Sequence, residues 1–234
     1  IQKYIKSDYK WSIKNINNVD YSLIPKNQTS KSTIADYFER GKLIDTLEMP
    51  IPGIHNLAII AAAIAACRIH NIKFTKIKEK ISGLQLPLKR FEFKGIIAGR
   101  EIIDDYAHHP KEIQATIELG RLFINENDKY KRLIAIFQPH RFSRVNKFFM
   151  EFAYELALAD QVIITNIYGA GETNIKNIDS SIIAKEIYKK NKNVKMVKDN
   201  YEIKKKFNYL TTENDLILNM GAGDCHDLWR ILSS

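Results

Sequence analysis

Residues 104–110 read Asp-Asp-Tyr-Ala-His-His-Pro, a run in which two acids, a tyrosine and two histidines crowd into six positions ahead of a proline. A carboxylate there can accept ribose hydroxyls or hold a metal, and an imidazole can donate to an anion or shuttle a proton. The same run also suits a helix cap flanked by surface histidines. Residues 137–144, Phe-Gln-Pro-His-Arg-Phe-Ser-Arg, place Arg141 and Arg144 beside His140. Guanidinium groups grip carboxylate or phosphate through two parallel hydrogen bonds. Three positions apart at the start of a helix, the two arginines can converge on one anion, and the helix dipole adds to the attraction. A solvated basic turn is the alternative.

Two glycine-rich runs follow, Ile-Tyr-Gly-Ala-Gly-Glu at 167–172 and Met-Gly-Ala-Gly-Asp at 220–224. Glycines let backbone approach a ligand closely, although tight strand-to-helix turns use the same spacing. Glu172 and Asp224 could cap helices or touch a ligand. Upstream, Gly53-Ile54-His55-Asn56 precedes an Ala-rich stretch. Asn56 suits the edge of an adenine, and it suits a helix N-cap equally well. Gly41-Lys42-Leu43 is a decoy, because no G-x-x-x-x-G-K-[ST] phosphate loop occurs in the chain.

The elements that must carry these runs can be read from periodicity. The stretch to about Met49 is polar and mixed, with alternating patches at 9–13 and 19–24, and predicts short strands and loops. After the Pro50–Gly53 break, 56–70 predicts a buried helix and 75–82 a second one ending at Gly83. A domain boundary falls near Leu86. Residues 91–97 and 101–106 predict a hairpin around Ala98-Gly99. Strands are then expected at 132–137, 161–165, 194–197 and 215–219. Helices are expected at 110–123, 144–158, 180–189, 201–209 and 225–232. Short buried strands alternating with helices predict an α/β fold with a mostly parallel sheet and flanking helices. Such sheets bind ligands at the carboxyl ends of their strands, and all four chemical runs beyond residue 100 follow predicted strands.

Composition bounds the function classes. The chain of 234 residues is 45% apolar, enough for one large or two small cores. Its net charge of +9 invites acidic partners. The Lys runs at 76–80, 189–195 and 204–206 read as solvated faces, and no nucleic-acid-binding signature accompanies them. The longest apolar run, 57–67, is too short to span a bilayer, so no membrane insertion is expected. Cys67 and Cys225 show neither disulfide nor metal spacing, which points to a cytoplasmic location. Ile1 in place of Met hints at a piece of a longer protein.

In this order and spacing the runs resemble the Mur ligase family. IPGIHN at 51–56 is similar to the family's G-x-H-N element, and KRFE at 89–92 to the element that opens the third domain. DDYAHHP and FQPHRFSR look most like the L-alanine-adding branch. The resemblance implies residues 1–86 as the tail of a central ATPase domain and 87–234 as the Rossmann-like carboxyl-terminal domain. It implies His55 and Asn56 as adenine contacts, with Arg90 and Asp105 on the nucleotide. It implies Tyr106, His108, His109, His140, Arg141 and Arg144 as the amino-acid and intermediate site, with His108, Arg141 and Arg144 nearest the chemistry. Its substrates would be UDP-N-acetylmuramate, L-alanine and ATP with magnesium, the metal ligands lying mainly in a part not found in this sequence. No metal ligand is expected in the chain itself. Without a P-loop or UDP-sugar domain the chain alone is expected to be inactive. A murein-tripeptide-recycling ligase and a non-catalytic nucleotide- or amino-acid-binding module are the rival readings. Two departures stand out: Ile59 where the family has a second Asn, and Gly169 where it usually has Pro, expected to loosen that loop.

Overall fold

The computed structural model describes residues 8–234. The chain divides into two compact units between Gln85 and Leu86.

The first unit is an antiparallel meander backed by helices. Strands β2 (Tyr21–Gln28), β3 (Thr33–Glu39) and β4 (Lys42–Met49) pair in sequence, and the short β1 (Trp11–Ser12) runs parallel to β2. Leu23, Ala35, Tyr37, Leu47 and Met49 face the core. Against them lies α1 (Ile54–Ile69), presenting Leu57, Ile60, Ala61 and Ile64 at helical spacing. The shorter α2 (Phe74–Ile81) adds Phe74, which stacks on Tyr37 with ring centroids 4.6 Å apart.

This unit departs from the expected short strands and loops. Apolar side chains on both faces, among them the exposed Leu43 and Ile44, blur the period-2 signal. Pro25 sits beside a bulge, where the missing N–H is tolerated. Gly41, read above as a decoy, follows Arg40 in the tight turn joining β3 to β4, both at positive φ (47° and 80°). The helix start also differs: α1 begins at Ile54, with Gly53 as N-cap at φ 99° and Asn56 inside the first turn.

The second unit is a six-stranded sheet in the order β5-β6-β10-β7-β8-β9. The edge strand β5 (Glu92–Ile97) is antiparallel to β6 (Arg100–Asp105), joined through Ala98-Gly99 as the sequence predicts. The other strands, β7 (Arg132–Phe137), β8 (Gln161–Ile164), β9 (Val194–Met196) and β10 (Asp215–Met220), run parallel to β6. Alternate residues feed two cores. Leu133, Ala135, Phe137, Leu216 and Leu218 pack under α3 (Pro110–Asn125), α4 (Phe142–Leu156) and α5 (Ser181–Lys190). Ile134, Ile136, Ile163 and Ile217 pack on the opposite face under α6 (Asn200–Leu210) and α7 (Leu228–Ser233). The α/β class and the mostly parallel sheet are therefore those the sequence predicts. The expected helix at 225–232 instead splits into a 3-10 turn, Asp224–Asp227, and α7.

Candidate functional site

Because β6, β7, β8 and β10 are mutually parallel, the segments after them share one edge of the sheet. β6 ends at Asp105, whose carboxylate accepts the N–H of Phe91 and of Ala107, each at 2.8 Å. The Tyr106 N–H donates to the Lys89 carbonyl at 2.8 Å. Together these bonds pin the segment 89–91, in which Lys89 and Phe91 both hold positive φ (60° and 48°). Arg90 lies between them, 3.9 Å from Glu112.

Burial pushes the Asp105 carboxyl up to about 6, against the pull of both N–H donors and Arg90. A folded value above the unfolded one, near 4, means that the native state keeps the proton longer. Its contribution to stability is therefore complete below pH 4 and is lost as pH rises through 6. Urea unfolding of wild type and Asp105→Asn from pH 4 to 7 should show their stability difference drifting against wild type by about 2 kcal/mol. A pH-independent difference would exclude this titration.

His109 is the N-cap of α3. Its Nδ1 accepts the Lys111 N–H, and Glu112 reaches back to the N–H groups of His108 and His109. Its ring packs edge-on against Phe148. His108 instead turns toward the β7 loop. Its Nδ1 donates to the Tyr106 carbonyl at 2.8 Å and lies 3.4 Å from a Glu112 carboxylate oxygen, so in the Nδ1–H tautomer Nε2 is the acceptor.

After β7 the chain forms a bridge between His140 and Tyr168. Arg141 follows at φ 70° as the N-cap of α4. Arg144, in the first turn of α4, brings Nη1 to within 3.2 Å of His140 Nδ1. Burial first, then Arg144, holds the His140 pKa below the ordinary imidazole value. His140 is thus a neutral acceptor for Arg144 and keeps Nε2–H as a donor. Among the described residues no carboxylate pairs with Arg144. The cation is thus oriented by a ring that carries no opposing charge.

Strand order then produces a feature that was not read from the sequence. His226, Tyr106, His108, His140 and Tyr168 form a continuous row of rings, with successive centroids 5.7, 5.2, 5.8 and 5.6 Å apart. His226, absent from the sequence reading, bonds the buried Asp104 through Nδ1 at 2.7 Å, and Asn219 donates to the other Asp104 oxygen. Its only sequence signal is its place just after the last strand.

The two acids whose roles the sequence left open are both engaged. Glu172 accepts from the Ser143 N–H and hydroxyl at the start of α4, bonds that lower its pKa. Asp224 accepts the Gln138 amide N–H. The carbonyl of Gly169 accepts the Glu172 N–H, and a Cβ at Gly169 would lie 2.9 Å from the Phe142 ring, so packing constrains the loop at this departure. The thiol of Cys225 is buried and its pKa pushed up to about 12, and both cysteines are free. In the first unit, the Asn56 amide donates to the Pro52 carbonyl at 2.7 Å, leaving Oδ1 as an acceptor, and His55 is exposed. Ile59, the other departure, is 66% exposed on α1.

The structure thus brings together Tyr106, His108, His140 and Arg144. It places Asp105 behind them on backbone donors and His109 beside them as a cap. Among the described residues no helix is long and apolar enough to cross a membrane, and no cluster of three or more His, Cys, Asp or Glu residues suits a metal ion.

Comparison with known proteins gives a consistent result. Residues 89–223 match the family described as Mur ligase, glutamate ligase domain. A UDP-N-acetylmuramate–L-alanine ligase of Prochlorococcus marinus subsp. pastoris is 56% identical over 241 residues, covering 99% of this chain and 51% of the relative. One from a Synechococcus species is 37% identical, covering 100% of this chain and 50% of the relative. The chain thus spans about half the length of the curated relatives it matches. Among solved structures, a UDP-N-acetylmuramate-alanine ligase from Thermotoga maritima superposes with a TM-score of 0.77 at 25% identity, over 97% of this chain and 47% of that one. A murein peptide ligase from Psychrobacter arcticus shares the fold, with a TM-score of 0.69 at 19% identity, over 96% of this chain and 46% of that one.

Proposed function

The chain belongs to the Mur ligase family, and on that premise we propose that it is the carboxyl-terminal half of an ATP-dependent ligase joining L-alanine to the carboxylate of UDP-N-acetylmuramate for peptidoglycan. The observation that carries this reading is Arg144, a cation without a carboxylate partner among the described residues, oriented by a neutral imidazole at the carboxyl edge of the sheet. Such a group is built to receive an anion.

Arg144 and Arg141 bind the alanine carboxylate in this reading. Tyr106 and the Nε2–H of His140 border the same space. ATP first converts the muramate carboxylate to an acyl phosphate. The alanine amine attacks the acyl carbon, the C–N bond forms, and the C–O bond to phosphate breaks. His108 Nε2 takes the proton that the amine must lose, and the developing oxyanion gains from the nearby cations. Holding amine and acyl phosphate in line supplies much of the rate.

His55, and Asn56 through Oδ1, are assigned to the adenine, and Arg90 to the nucleotide. Asp105 acts by pinning the segment that carries Arg90. His109 serves the site as the cap of α3. Residues 1–86 then correspond to the end of the central ATPase domain and 87–234 to the terminal domain. Magnesium accompanies ATP and is assigned to ligands outside this chain. A cytoplasmic location suits two free thiols.

The test is reconstitution. The chain is mixed with the amino-terminal half of a related alanine ligase and phosphate release is measured with UDP-N-acetylmuramate, L-alanine and ATP. Alanine-dependent release, absent from either half alone and abolished by Arg141→Ala, is the expected result. A folded chain that gives no release would sink the ligase reading in favour of a non-catalytic binding module.

A further inference from the structure

Tyr168 ends the row of rings, and its backbone and ring are both fixed. Its N–H donates to the Pro139 carbonyl and its own carbonyl accepts the Arg141 N–H, each at 2.8 Å. Its ring lies almost parallel to that of His140, at an interplanar angle of 11°. Gly223 lies against the same ring. A Cβ there would collide with Gln138 Oε1 and come within 2.6 Å of the Tyr168 ring. Gln138 cannot yield freely, because Oε1 also accepts the buried Cys225 N–H and the amide nitrogen is held by Asp224. Glycine at 223 is therefore what lets the Tyr168 ring sit where it meets His140.

We propose that Tyr168, seated on Gly223, is a positioning residue for the Arg144 guanidinium. The tyrosine ring fixes the plane of the His140 imidazole, and that plane aims Nδ1 at Arg144 Nη1. A long arginine side chain has many rotamers, and a single well-placed acceptor selects one of them before the anion arrives. The ring face does this work, and the tyrosine hydroxyl has no part in it. What Arg144 binds rests on the ligase reading, whereas how Arg144 is held does not.

The first measurement is the titration of His140 by NMR in the chain itself. Arg144 and Arg141 of α4, His108 from the loop after β6, and Glu172 from the loop after β8 all face this ring. Burial and the cations lower its pKa, and Glu172 opposes them. Tyr168→Ala uncovers the ring, so His140 should titrate at higher pH, nearer the ordinary value. Tyr168→Phe should leave it unchanged, and Gly223→Ala should reproduce the alanine variant by displacing the ring. The second measurement is kinetic, in the reconstituted enzyme. Tyr168→Ala should raise the KM for L-alanine about 10-fold with a smaller change in kcat, as expected for lost pre-organisation. An unmoved His140 titration in Tyr168→Ala overturns the proposal, and so does a Tyr168→Phe variant as impaired as the alanine one. If wild type shows no alanine-dependent turnover, the ligase reading fails, and the NMR comparison alone still decides the positioning role.

Discussion

Arg144→Ala should raise the KM for L-alanine on the order of 100-fold in the reconstituted ligase, roughly 3 kcal/mol of lost binding. The magnitude follows from what the guanidinium meets. Its one described hydrogen-bond contact, His140 Nδ1, is neutral, so its charge is not spent inside the protein. A charge-assisted hydrogen-bonded pair with the alanine carboxylate, shielded in part from water, is worth more than a surface ion pair. The fold should notice little. The side chain is only part-buried and no carboxylate would be stranded by its removal, so unfolding free energy should change by less than about 1 kcal/mol. Lysine at 144 keeps the charge but loses the planar fork, and should recover only part of the affinity. Unchanged alanine kinetics in Arg144→Ala would remove the residue from the site.

The edge that carries Arg144 was legible because β7, β8 and β10 are short aliphatic runs, as in Leu133–Phe137 or Leu216–Leu218, followed at once by polar or glycine-rich residues. Such runs are parallel strands buried on both faces, and their common polarity puts the following loops together. The pairing of Arg144 with His140 was not legible. It depends on the rotamer of one side chain and on a bridge between residues 140 and 168. The ring row was hidden for a topological reason. β10 inserts between β6 and β7, and only this non-sequential order brings His226 beside Tyr106. Asp105 stands at the strand end where the sequence places it. A carboxylate after a strand can face a ligand, but this one is turned inward to two backbone donors, and periodicity does not report side-chain direction. In the first unit the meander escaped notice because Ile34 and Phe38 lie on the face opposite Ala35 and Tyr37. Alternation then fails to separate inside from outside.

Arg132→Met should cost the second unit about 3 kcal/mol of stability and leave the alanine KM unchanged. Arg132 opens β7 and Asp215 opens β10, so the pair lies at the amino ends of the strands, opposite the site. Asp215 is fully buried. It accepts from Arg132 Nε at 2.9 Å, from Nη2 at 2.7 Å and from the Thr212 N–H at 2.7 Å. Methionine fills much of the arginine volume, so lost packing contributes little. The carboxylate, however, is stranded in the interior, and an unpaired buried charge is among the few single-site changes with an effect this large. The arginine is itself partly exposed, which keeps the expected loss at the lower end of the range for buried pairs. Urea unfolding with an unchanged m-value checks it, and a loss below about 1 kcal/mol would mean that Thr212 and solvent suffice for Asp215. The contrast with Arg144 is the physical content of the fold's polarity. At the amino edge, Arg132–Asp215 and Arg121–Asp160 are closed pairs whose charges satisfy one another. At the carboxyl edge, Arg144 is given a neutral partner and keeps its charge available. Two arginines at opposite edges of one sheet should therefore fail in opposite assays, Arg132 in unfolding and Arg144 in the KM for L-alanine.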